Sequence, residues 1–133
     1  MKKLWVVALF LLTGASALAQ EPSHTPVLTR VQFESLLAKP TGLLLIDVRR
    51  PDEVSRIGGL PVYLSVQISD LSNSLAWIPR ERTIVTLSNH AKRAAAAADL
   101  LAGKGFKVAG ALGVQTYEEA GGKLTKVATP TKQ

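Results

Sequence analysis

Apolar residues recur along this chain first at helical spacing and then in unbroken runs of strand length. After Thr29, Val31, Phe33, Leu36 and Leu37 form an apolar set at helical spacing, and Gln32 stands three residues after Thr29 as in a capping box. A helix is predicted from about Arg30 to Lys39. Pro40-Thr41-Gly42 ends it, and Leu43 to Val48, apolar except for Asp47, has the pattern of a strand covered on both faces. Pro51 is placed for the first turn of a short helix, which Gly58-Gly59 breaks. Val62 to Ile68 alternates weakly and predicts a second strand, and Leu71 to Trp77 a short helix stopped at Pro79. Thr83 to Leu87 is the next buried strand. A loop from Ser88 to Lys92 leads into Arg93 to Ala102, helical on propensity alone. Gly103 and Gly105 end that helix, Phe106 to Val108 predicts a short strand, and Val114 to Ala120 a last helix before Gly121-Gly122.

Strands alternating with helices at this spacing imply an α/β fold, a central parallel sheet with helices on both faces. Ligands in such folds sit at the carboxyl ends of the strands. No internal repeat is present. Ahead of the periodic region, Lys2 and Lys3 precede an uncharged stretch from Leu4 that closes on Ala17-Leu18-Ala19, the pattern of a signal peptide with cleavage after Ala19. The stretch holds Thr13, Gly14 and Ser16 and falls short of the roughly 20 apolar residues of a membrane span. The expected organisation is a signal peptide over 1–19, a mobile arm over 20–28, one domain over 29–124 and a polar tail over 125–133. A periplasmic or secreted protein with no membrane span after cleavage follows.

Composition narrows the chemistry. The 133 residues include 16 Lys+Arg against 10 Asp+Glu and no cysteine. This chain therefore offers no disulfide, thiolate metal site or cysteine nucleophile. The basic residues are scattered without a run of five, so no nucleic-acid partner is expected. His24 and His90 are isolated and no His, Asp or Glu set has ligand spacing, so neither a metal nor another cofactor is expected. Glu118 and Glu119 are adjacent and read as solvated charge, and Trp77 is expected to cover the core or rim the loop face.

The segment from Thr83 to Ala102 carries the candidate site. A loop leaving the carboxyl end of a central strand and entering a helix presents backbone N–H groups at the positive end of the helix dipole, where an anion can be held. Ser88, Asn89, His90, Ala91, Lys92 and Arg93 would form that cradle. An ordinary connection with solvated cations has the same sequence features.

Leu45-Ile46-Asp47-Val48-Arg49-Arg50-Pro51-Asp52-Glu53 resembles the Ile-Asp-Val-Arg-x-Pro-x-Glu stretch of rhodanese-like domains. Gly58-Gly59-Leu60-Pro61 stands near the place of that family's Gly-His-Ile-Pro. Ile84 to Arg93 matches its strand and active-site loop, and Leu112-Gly113, Tyr117 and Ala120-Gly121 resemble its closing segment. The resemblance implies a rhodanese-like fold over Thr29 to Leu124 and structural roles for Asp47, Arg49 and Glu53. The family's loop is Cys-x-x-Gly-x-Arg-Ser, whose cysteine carries sulfur as a persulfide. Counting back from Arg93 puts Ser88 at the cysteine, Ala91 at the glycine and Ala94 at the serine, while Gly59 replaces the histidine. A hydroxyl forms no persulfide, so the family's sulfur transfer is excluded for this chain. Three readings of Ser88 stay open: part of a vestigial site in a protein-binding module with an exported partner, a donor in a non-catalytic site for a small oxyanion such as thiosulfate, sulfate or phosphate, or a serine nucleophile of a hydrolase with His90 as base. Ala91 is expected to hinder a tight cradle wherever the loop needs positive φ.

Overall fold

The computed structural model describes residues 24–126. The predicted signal peptide lies outside them, as do parts of the expected arm and tail. The element order is α1 (Arg30–Leu37), β1 (Leu43–Asp47), α2 (Pro51–Ile57), β2 (Leu64–Ser65), β3 (Thr83–Ser88), α3 (Ala91–Gly103), β4 (Lys107–Gly113) and α4 (Val114–Glu119). The four strands form one parallel sheet in the order β2-β1-β3-β4. Alternate side chains of β3 show how the two faces are built. Val85 and Leu87 pack with Phe33 of α1 and Tyr117 of α4, whereas Ile84 packs with Ala97 and Leu101 of α3. The helices thus cover both faces, in the expected arrangement.

The cap of α1 is built by the residues the pattern singled out. Thr29 Oγ1 accepts from the Gln32 N–H at 3.3 Å, and Gln32 Oε1 accepts from the Thr29 N–H at 2.9 Å. Val31, however, is 72% exposed, so the buried stripe of this helix centres on Phe33. The predicted second strand shrinks to Leu64–Ser65, which pair with β1 at Ile46 and Asp47; beyond them the Val66 and Ile68 N–H groups still donate to Asp47 O and Val48 O without continuing the strand. The helix expected over Leu71 to Trp77 is two 3₁₀ turns that meet at Ser74. Trp77 neither covers the core nor stays sheltered, being 83% exposed.

The strand at Phe106 to Val108 is longer than the pattern implied. Ala109-Gly110-Ala111-Leu112-Gly113 has weak strand propensity, but it fits a slot between β3 and the chain's first described residues. Its small residues let α3 approach: Ala94, Ala95 and Ala98 pack directly on Ala111. On the other side, Leu28 N–H donates to Ala111 O at 2.8 Å and Ala111 N–H to Pro26 O at 2.9 Å. A Cβ on Gly110 would come within 2.7 Å of Leu28 and of Pro26 O, so glycine permits this close contact. From His24 to Leu28 the segment expected as an arm is therefore docked along β4, with the Asp99 carboxylate accepting from the His24 and Thr25 backbone N–H groups. Thr125, at the start of the expected tail, exchanges two backbone hydrogen bonds with Gly59. Among the described residues no helix is long and apolar enough to cross a membrane.

Candidate functional site

The carboxyl ends of β1 and β3 place Asp47 and Ser88 at the same level of the sheet, beneath the loop into α3. Asp47 is fully buried, a costly position for a carboxylate unless a cation meets it. Arg49, also fully buried, does so: its Nε donates to Asp47 Oδ1 at 2.9 Å and its Nη2 to Oδ2 at 2.7 Å. The remaining Arg49 nitrogen donates to Gly58 O and to Asn89 Oδ1, both at 3.0 Å. Asn89 in turn donates through Nδ2 to Glu53 Oε1 at 2.8 Å. Glu53 closes the chain with a fork-to-fork pair to Arg93, at 2.7 and 2.9 Å, and accepts the Arg50 N–H at 3.0 Å.

This network ties the turn after β1 to the loop after β3. Hydrogen bonds from Arg93 and from the Arg50 N–H outweigh the cost of burial and hold the Glu53 carboxyl at a pKa of about 2. The same bond from Arg93 to Glu53 raises the guanidinium pKa. Gly59, at the place the resemblance gives to a histidine, is tightly enclosed: a Cβ there would meet Arg49 Nη2 and Val54 at 3.3 Å.

Ser88 does not face the cleft. It is the last residue of β3, is fully buried, and accepts the Ala94 N–H at 2.9 Å while donating to His90 O. Its hydroxyl splices the end of β3 to the first turn of α3. His90 is the N-cap residue of that helix and makes no side-chain capping bond. The helix begins at Ala91, two residues before the predicted start, and among the described residues none other than glycine has positive φ. Ala91 therefore sits in the first turn without strain, contrary to the expectation that its methyl would hinder the loop.

What lies above the loop is an open cleft of about 570 Å³ lined by Arg56, Ile57, Asn89, His90, Lys92, Arg93 and Gln115. Of the six residues predicted to form a cradle, the structure brings Asn89, His90, Lys92 and Arg93 to this cleft. Ser88 lies beneath α3, and Ala91 lines a separate small cavity beside Leu112 and Tyr117. Arg93 reaches the cleft with its guanidinium already engaged by Glu53. Arg56 and Gln115 were not singled out by sequence, since neither is near Ser88 in the chain and only the packing of α2 and α4 around the loop delivers them. Among the described residues no ion pair involves Arg56 or Lys92. No group of three or more His, Asp or Glu able to hold a metal occurs among the described residues.

No protein-family model and no curated protein sequence matches the chain. Solved structures do. A rhodanese-related protein from Thermoplasma volcanium superposes with a TM-score of 0.65 at 20% identity, covering 76% of this chain and 96% of its own. The polysulfide-sulfur transferase homodimer from Wolinella succinogenes gives 0.61 at 25% identity, covering 81% of this chain and 83% of its own. The thiosulfate sulfurtransferase from Pseudomonas aeruginosa gives 0.63 at 27% identity, with 80% of this chain matched to 21% of that one. With its parallel sheet and flanking helices, the chain has the rhodanese-like α/β fold of these proteins.

Proposed function

We propose that this chain is an exported rhodanese-like domain that does not transfer sulfur and instead binds a protein partner through the cleft over the β3–α3 loop. The observation that carries the reading is the engagement of Ser88. At the position where the resemblance puts a sulfur-carrying cysteine, the hydroxyl is buried and both accepts and donates hydrogen bonds within its own loop. A group so held neither attacks a substrate nor accepts a sulfane sulfur, and this chain has no cysteine to do so in its place. The serine-hydrolase reading loses support from the same fact, because His90 meets Ser88 through its backbone carbonyl rather than its ring.

The Asp47–Arg49–Asn89–Glu53–Arg93 network holds the loop in one arrangement, the preorganisation that a recognition surface needs. Arg56, Lys92 and His90 would then be the contact residues. The test is a photo-crosslinking residue placed at His90 in the living cell. A discrete adduct of one partner, lost when Arg56→Glu and Lys92→Glu are introduced together, is expected. No discrete adduct, or one indifferent to those changes, rejects the reading.

The unpaired Arg56 and Lys92 favour one second reading, a small oxyanion in the same cleft. It predicts that thiosulfate, sulfate or phosphate raises the melting temperature of the wild type but not of the Lys92→Ala variant. Equal shifts in both proteins, or none in either, would remove it.

A further inference from the structure

In a parallel sheet every loop that enters a strand lies at one end. Here those loops are Ala38–Gly42 before β1, Ile78–Arg82 before β3 and Lys104–Phe106 before β4; of the segment before β2, Gly58 and Gly59 sit against Arg49 at the other end and only Pro61–Tyr63 come down beside Pro40 and Leu43. The register fixes their closeness: Leu43, Thr83 and Lys107 stand side by side as the first residues of three neighbouring strands. This end is opposite the cleft described above.

With Lys107, these loops present Lys39, Arg80, Arg82, Lys104 and Lys107, all exposed, against one carboxylate, Glu81. Among the described residues none of the five takes part in an ion pair. Arg80 is fixed in place, its guanidinium 4.3 Å from the centre of the Phe106 ring and its Nη1 donating to Lys104 O at 2.9 Å. The nearest carboxylate farther up α3, Asp99, is held by the His24–Thr25 segment.

Two apolar features share this end with the cations. Trp77, 83% exposed, directly precedes Ile78, which is buried in the cluster of Leu101 and Phe106. A groove of about 610 Å³ opens where the loops enter β1 and β2, lined by Leu37, Pro40, Leu43, Pro61, Val62 and Tyr63 among others, with Val62 80% exposed at its margin.

From this juxtaposition we propose that the amino end of the sheet is a docking face for an anionic phospholipid bilayer. The five cations meet lipid phosphates, Trp77 enters the interfacial layer, and the apolar groove between the β1 and β2 entry loops receives acyl chain. An acidic protein or a polyanion would satisfy the cations but would leave Trp77 and the groove unused, so the chemistry favours a surface that is anionic outside and apolar within. The proposal is independent of how the cleft over the β3–α3 loop is read. Bound in this way, the domain would hold that cleft facing away from the membrane.

The test uses the chain from Gln20 onward, the form the predicted cleavage leaves, which keeps every described residue and has Trp77 as its sole tryptophan. Sedimentation with phosphatidylcholine vesicles containing about one part in three phosphatidylglycerol should recover the protein, and pure phosphatidylcholine vesicles should not. Binding should shift Trp77 emission to shorter wavelength. Replacing Arg82→Gln and Lys107→Gln together should weaken partitioning roughly twenty-five-fold, at about fivefold per cation. Lys123→Glu changes net charge by the same amount away from this end and should weaken it far less. Equal losses in the two variants would mean that overall charge, not this face, attracts the membrane, and would overturn the proposal. So would binding without a change in Trp77 emission, or binding to polyglutamate but not to vesicles.

Discussion

At the carboxyl end of the sheet Arg49 and Arg93 each meet a buried carboxylate, whereas at the amino end Lys39, Arg82, Lys104 and Lys107 meet none among the described residues. The difference follows from burial. Asp47 and Arg49 are wholly out of water and Glu53 nearly so, and a charge in that position is tolerated only with a close partner and its remaining hydrogen bonds filled. The amino-end cations are solvated, so water and counterions suffice for them and they remain available to a ligand. Buried charge at the carboxyl end holds structure together, with only Arg56 and Lys92 left over at the cleft, whereas the amino-end cations have no such duty and are free to bind.

The comparison breaks first, and most severely, at Arg49. In Arg49→Ala the Asp47 carboxylate stays buried without its cation, and Asn89 and Gly58 O each lose a donor. A loss of about 3–5 kcal/mol in unfolding free energy is expected, measured by urea denaturation at neutral pH. The paired apolar replacement, Asp47→Leu with Arg49→Met, should lose much less, since no charge is left behind. If the single and double variants are equally destabilised, the buried pair is not what holds the turn.

The second test titrates the same network. The Glu53 carboxyl has a pKa of about 2 in the folded protein against an ordinary 4.5, so between those values the unfolded chain binds a proton that the folded one does not. The contribution is fully present above pH 4.5 and is lost as pH falls through about 2. Because Arg93 is 36% exposed, solvent screens the pair and the contribution is about 2 kcal/mol, less than the full shift implies. Unfolding free energy measured between pH 6 and pH 2 should decline over this window in the wild type, with a shallower slope in Glu53→Gln. An identical slope in both would assign the acid sensitivity to other carboxylates.

How much of this was legible in the sequence depends on the range of the cause. The capping box at Thr29 and Gln32, the runs of β1 and β3 and the alanine helix are local, and periodicity found them. The length of β4 was not, because its Ala-Gly-rich half is a strand only by virtue of β3 on one side and Pro26–Leu28 on the other. In the site, proximity to Ser88 in sequence suggested a cradle of consecutive residues. The actual grouping joins residues forty positions apart, Glu53 to Arg93 and Arg49 to Asn89, and turns Ser88 inward. Arg56, in the last turn of α2, gave no sign of facing the loop at all.

A finer cut within the carboxyl end is Ser88→Ala. The change removes an acceptor from the buried Ala94 N–H and a donor from His90 O without creating an unpaired charge. The expected cost is about 1–2 kcal/mol, smaller than at Arg49 because only neutral groups are orphaned. Amide exchange should speed up at Ala94 more than in the later turns of α3. Uniform exchange along the helix would mean that the hydroxyl is a bystander to the splice between β3 and α3.

The smallest effect should come from the amino end, and its smallness is the point of the contrast. Arg82→Gln with Lys107→Gln removes two cations, a larger change in net charge than Arg49→Ala makes. Neither side chain has an ion-pair partner among the described residues or a place in the core, so unfolding free energy should move by no more than about 0.5 kcal/mol in either direction. Relief of repulsion among the five neighbouring cations can even make the change slightly positive, most visibly at low salt where exposed charges are least screened. Urea denaturation at two ionic strengths measures both quantities. A loss comparable to that of Arg49→Ala would show that these cations hold the sheet's entry loops together, and the division of labour between the two ends would then fail.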